Sequence, residues 1–301
     1  MIKRANISLF RIFTSAADFS WAHWTSLLPI ALIMTFAAMV LSGYQEPAQD
    51  PFWLLLHHLG IPVLDQLQEP ALWILIPLTV LFIAVALVSF FILGLRYRDI
   101  TLNHEATWYS HLSEVPLKVL RSVTVTILIG IVSFVLSVVI AFITTDSIAL
   151  SAQSVSFFGL LLISISTVMS IYLIYFILRF SLYTAAIILD NAGIIESLKR
   201  SYAISKGWRQ WSGTGILFFI QQLVLMVIGF CILWLWLKWV PEAANEFPVP
   251  TFHFSHLLYW IAELIVTAIV SLWSIVSFLK WYEELKQRQL AETIMTREPE
   301  A

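Results

Sequence analysis

Six stretches of the chain, residues 24–44, 71–95, 120–144, 155–178, 213–237 and 257–279, are long and apolar enough to cross a bilayer as helices. Crossing the ~30 Å hydrocarbon core takes roughly 20 apolar residues at helical rise. Only 12% of the residues are charged and 59% are hydrophobic, whereas soluble domains carry roughly 25% charged residues. A soluble fold of this composition would have to expose large apolar patches. The predicted fold class is therefore all-α: a polytopic membrane helix bundle of about six spans plus interfacial amphipathic helices, one integral membrane domain over 1–301.

An even number of spans puts both termini on one side, and the basic residues say which side. The N-terminus (Lys3, Arg4, Arg11), the second connection (Arg96, Arg98, Lys118, Arg121), the fourth (Arg179, Lys199, Arg200, Lys206, Arg209) and the tail (Lys280, Lys286, Arg288, Arg297) hold every Lys and Arg except Lys238. Positive residues stay in the cytoplasm, so both termini are expected there. The net charge of −2 points to no nucleic-acid partner, and the single cysteine, Cys231, allows no intrachain disulfide.

Residues 1–23 have a basic head but no clean cleavage site, and are read as a retained segment. Ile2, Ala5, Leu9, Ile12, Phe13 and Ala16 share one helical face and Arg4, Ser8, Arg11, Ser15 and Asp18 the other. That pattern predicts an interfacial helix lying on the membrane. The tail, 280–301, is expected to be cytoplasmic.

The segment 180–211 raises a sharper question, because the apolar run continues past Arg179. Val155 to Leu178 already spans about 36 Å at 1.5 Å per residue, which places Arg179 at the boundary, its guanidinium snorkelling to headgroups. The apolar "FSLYTAAIIL" beyond it should be buried among helix ends or dip into the inner leaflet. Asp190, Asn191 and Gly193 form a turn, with Asn191 the expected N-cap of the next helix. There Ile194, Ile195, Leu198 and Tyr202 cluster on one arc while Glu196, Lys199 and Arg200 face away. This predicts an in-plane amphipathic helix ended by Gly207 and followed by Trp208 and Trp211.

The stretch Asp190–x–x–Gly193–Ile194–x–x–Ser197–x–Lys199–x–Ser201, continuing to Lys206–Gly207, resembles the most recognisable element of the YciC-type family of bacterial inner-membrane proteins. A related pattern occurs in the membrane domain of some glycerophosphodiester phosphodiesterases, whose catalytic domain is absent here. The approach "ADFSWAHWTSLLPIALIMTF" is similar to that family's entrance to its first span. The chain departs from many relatives in having "TAAII" where they carry a proline. The resemblance implies fold and location, and no chemistry. The second and fourth connections also resemble each other, which hints at a two-hairpin repeat.

Motifs for chemistry are sparse. Glu283–Glu284–x–x–x–Arg288 matches the first motif of intramembrane CAAX-type proteases, but its histidine counterpart in "FHFSH" is expected on the opposite side of the membrane. The simpler reading is an i,i+4 pair on a helix. His57, His58, His253 and His256 are weak metal candidates, since nothing fixes their two loops together. Glu263, inside the last span, is the candidate intramembrane polar site, because such carboxylates are costly unless paired or protonated. No catalytic residues and no cofactor are expected. The function expected is non-enzymatic: engagement of anionic lipid headgroups, or of a membrane-protein partner, through Arg179, Asp190, Lys199, Arg200, Lys206 and Arg209. The alternatives are a small-solute, lipid or proton-coupled transporter using Glu263, and a lipid-modifying membrane enzyme.

Overall fold

The structure, a computed structural model, describes residues 9–43, 72–104, 107–151, 157–239 and 254–297. Among them there is no strand. The helices are α1 (Leu9–Ala22), α2 (Trp24–Gly43), α3 (Leu72–Thr101), α4 (Val115–Ser151), α5 (Phe157–Phe180), α6 (Tyr183–Asp190), α7 (Ile194–Ile204), α8 (Trp208–Trp239) and α9 (Phe254–Arg297), with a 3₁₀ turn at Trp108–His111. Six of them, α2 to α5, α8 and α9, are long and apolar enough to cross a membrane. The architecture is all-helical and compatible with a multi-pass membrane protein. Several helices outrun the predicted spans: α3 continues through Arg96, Arg98 and Asp99, and α9 runs on to Arg297. Neither extension contains Gly or Pro, and once a helix exists each added residue gains a backbone bond.

The chain packs as two compact units, one of residues 1–115 with 218–280, the other of 116–217 with 281–301. In the first, Leu27, Ala31, Ala37 and Val40 of α2 are buried, and Arg96 of α3 donates to Ser26 Oγ at 2.8 Å. Phe36 meets Trp260 of α9 edge-on with ring centres 5.6 Å apart. Helix α1 packs on protein with the face expected to lie on lipid, burying Ile12, Ala16 and Ser20. Trp273 Nε1 donates to the Phe13 carbonyl at 3.1 Å, and Lys280 Nζ donates to Ser15 Oγ at 2.6 Å. Phe10 and Trp21 of the same helix stay exposed, so α1 is apolar on two sides.

In the second unit the early turns of α8 are fixed against α9. Trp281 Nε1 donates to Thr214 Oγ1 at 2.9 Å, and a Cβ placed on buried Gly213 would lie 2.6 Å from Trp281 Cζ2. The indole is buried and hydrogen-bonded, so it has no room to yield. Gly213→Ala is expected to lower stability by about 1–2 kcal/mol, overpacking outweighing the gain in helix propensity. Gly215→Ala, whose Cβ meets only the flexible end of Leu178 at 3.1 Å, should cost less. Thermal melts of the two variants in one detergent check the order, and a reversed order would refute it.

Candidate functional site

Helix α5 stops at Phe180 because the chain supplies its own competing bond: Ser181 Oγ donates to the Leu178 carbonyl at 2.9 Å. The apolar residues that follow form α6, where Ala185, Ala186, Ile187 and Ile188 are fully buried. Of the two fates open to this segment, burial among helix ends is the one observed. Helix α6 ends on Asn191 in the left-handed conformation, at φ 53° and ψ 33°. Asn191 is thus the C-cap of α6 and not the N-cap of α7, a position held by Gly193. The reason is visible in its side chain. Asn191 Oδ1 accepts from Lys118 Nζ at 3.1 Å and from Arg121 NH1 at 3.2 Å, both on α4, so it is not turned to the α7 amides. Lys118 is itself buried and also donates to the Ile187 carbonyl at 3.3 Å.

Asp190 is the centre of the turn. Its Oδ2 accepts from Arg200 NH1 at 2.8 Å and from the Tyr282 hydroxyl at 2.6 Å, and its Oδ1 accepts from Lys286 Nζ at 2.6 Å. One carboxylate therefore ties α6 to α7 and to α9. Arg200 also pairs with Glu196 one turn before it. Burial alone disfavours the Arg200 charge, but its hydrogen bonds to Asp190 and Glu196 outweigh that and raise its pKa above the ordinary arginine value.

Arg179 is only 2% exposed; it does not snorkel outward. Its NH1 donates to the Ser205 carbonyl at 2.6 Å, and its guanidinium lies 3.9 Å from the Tyr202 ring centre and 5.5 Å from that of Tyr175. In return Ser201 Oγ and Ser205 Oγ both donate to the Arg179 carbonyl at 2.9 Å. That carbonyl is among the last of α5, which have no intrahelical partner. The serines of α7 thus cap α5. Small residues at i, i+4 and i+8 (Ser197, Ser201, Ser205) let the two backbones approach, and all three are buried.

The opposite face of α7 is consequently outward. Ile195 and Tyr202 are 68% and 50% exposed, Lys199 lies between them on the same face, and Trp208 at the start of α8 is 70% exposed. Lys199 and Lys206 are exposed, and among the described residues no side-chain partner holds either one. Of the six cationic and acidic candidates, the structure joins Asp190 with Arg200 and builds Arg179 into the protein, leaving Lys199 and Lys206 outward. Arg209 is on the first turn of α8, its side chain outside the described residues. The sequence reading missed Lys118, Arg121, Asn191's capping role, Tyr282 and Lys286. The available signals were the spacings Lys118–x–x–Arg121 and Tyr282–x–x–x–Lys286.

The remaining candidates lie elsewhere. Glu263 is a partly buried residue of α9 in the first unit, and Gln221 of that unit donates to the Ser274 carbonyl at 2.9 Å. His57, His58 and His253, and the side chain of His256, fall outside the described residues. Among the described residues no group of three or more His, Cys, Asp or Glu is placed to hold a metal. Glu284 and Arg288 form the expected i,i+4 pair at 3.3 Å. The first unit has its own acidic centre: Asp99 Oδ2 lies 2.8 Å from His111 Nε2, at an angle too poor for a hydrogen bond, with Arg98 NH2 3.4 Å from Oδ1. Comparison with protein-family models, with curated proteins and with solved structures finds no match to this chain.

Proposed function

We propose that the protein is a non-enzymatic, multi-pass bacterial inner-membrane protein of the YciC-like kind, with both termini cytoplasmic. In this reading α7 rests at the inner surface of the bilayer and engages anionic lipid headgroups through Lys199 and Lys206. One observation carries it: α7 buries its serine face and turns Ile195, Lys199 and Tyr202 outward together. An outward face mixing apolar side chains with lysine suits a headgroup–acyl boundary, where apolar residues insert and cations meet phosphate. Asp190 and Arg200 are scaffold in this reading because they hold each other, and Arg179 because it is buried against Tyr202 with NH1 on the Ser205 carbonyl.

Each basic residue close to an anionic surface contributes about 1 kcal/mol, so two lysines correspond to roughly a tenfold or greater change in retention. Anionic lipid carried by the intact protein through native mass spectrometry should fall by that factor in Lys199→Gln/Lys206→Gln. Equal retention would sink the reading and leave the lysines as topology signals only. Arg200 is left intact because replacing it would disturb the Asp190 cluster as well as the surface charge.

A further inference from the structure

At the surface of the second unit, beside the junction of α7 and α8, lies an open cavity of about 510 Å³ walled on its other side by the last turns of α9. That volume falls within the roughly 300–1,000 Å³ typical of small-molecule sites. Two cations reach it, Lys206 and Arg288, and among the described residues no carboxylate lines it. Glu284 accepts from Arg288 Nε and steers that guanidinium from outside the lining. The lining also carries two carboxamides and a hydroxyl, those of Gln210, Gln289 and Thr293, while buried Ile204 and Leu285 contribute apolar surface.

We infer that this cavity binds a phosphate ester bearing free hydroxyls, of the glycerol phosphate class, whether as an anionic lipid headgroup or as a soluble molecule. The cations match a phosphate, which accepts charge-assisted hydrogen bonds from arginine and lysine. The Gln210 and Gln289 carboxamides both donate and accept, as vicinal alcohols require, and the Thr293 hydroxyl, whose proton goes to the Gln289 carbonyl, can accept. The apolar surface suits the glycerol carbons. Headgroups ending in a quaternary amine are disfavoured, since among the described residues no aromatic ring and no acid lines the cavity to receive a cation. The inference deepens the headgroup reading above and rests on it, moving selectivity from the exposed face of α7 to a built pocket.

The full-length protein in detergent is offered equal amounts of phosphatidylglycerol and phosphatidylcholine and read by native mass spectrometry. The wild type should retain the glycerol lipid at least about tenfold in preference. Lys206→Gln should abolish that preference, and so should Ala203→Phe, which fills the cavity from an exposed lining position without altering charge. Lys199→Gln, outside the cavity, should lower the preference less than Lys206→Gln does, because it removes one surface charge and leaves the cavity intact. If Ala203→Phe retains the preference while Lys199→Gln and Lys206→Gln erode it alike, the cavity is overturned and simple surface attraction stands. If the wild type shows no preference and holds no anionic lipid, the cavity and the headgroup reading both fall. Added glycerol phosphate that displaces the lipid from an otherwise selective site identifies a soluble occupant, and failure to displace it identifies the lipid.

Discussion

Asp190→Ala should destabilise the protein more than any other single change at the α6–α7 turn. Removing one member of a fully buried ion pair costs about 3–5 kcal/mol, because the other charge is left without compensation. Here Arg200 and Lys286 are 38% and 43% exposed, so water recovers part of that loss and the expected cost is about 2 kcal/mol. Asp190→Asn keeps one acceptor oxygen for Tyr282 and Arg200 but loses the charge and turns an NH2 donor toward Lys286, and should fall about midway. Tyr282→Phe removes one hydrogen bond to a charged group and should cost about 1 kcal/mol. The two changes share a partner, so their effects should not add: the double variant should differ from the sum by at least about 0.5 kcal/mol. Unfolding in lipid nanodiscs measures all four. Hydrogen exchange gives a second readout, because amides over 183–204 should lose protection in Asp190→Ala before the rest of the chain. A variant that melts with the wild type and keeps those amides protected would show that the cluster does not hold the turn.

The spans were legible because bilayer thickness fixes a length that a run of apolar residues either meets or does not. The turn at Asp190 was legible from local chemistry, since Asp, Asn and Gly in succession favour chain reversal. Its partners were not. Lys118, Tyr282 and Lys286 are remote in sequence from Asp190, and a single sequence offers no way to pair a carboxylate with one lysine rather than another. The orientation of α7 was half legible. Of its apolar arc Ile195 and Tyr202 are exposed while Ile194 and Leu198 are half-buried beside the serines, and Lys199, expected to face away from that arc, shares the outward face. The serines were not recognised as a packing face. In a chain bathed by lipid, apolar residues face out at little cost and small residues make the contacts. Ser197, Ser201 and Ser205 therefore carried the information that hydrophobic patterning overlooks. The same inversion accounts for α1, where Phe10 and Trp21 are exposed while Ser20 is buried. The cavity beside Lys206 had no sequence signal, since its walls come from two stretches that meet only in the fold.

Arg179 shows why position along a helix predicts depth better than direction. Its place at the end of an apolar run gave the boundary, and nothing local said whether the side chain turns to headgroups or to protein. The structure turns it inward against Tyr202 and the Ser205 carbonyl. Arg179→Ala should then cost about 3 kcal/mol, combining a cavity with a buried carbonyl left unsatisfied. Arg179→Lys should cost about 2 kcal/mol, because a strongly hydrated ammonium cannot lie flat on the ring or reproduce the planar guanidinium. Arg179→Met fills much of the volume and removes the burden of an interior charge, so about 1 kcal/mol is expected. Thermal unfolding of the three variants gives the order, and a lysine variant as stable as the wild type would show that the guanidinium's shape is idle. Lipid retention separates structure from binding at the same residue. A side chain 2% exposed has no surface to offer a headgroup, so Arg179→Met should carry as much anionic lipid as the wild type. Retention reduced as far as in Lys199→Gln/Lys206→Gln would instead mean that Arg179 leaves its seat between Tyr202 and Ser205 to reach the bilayer.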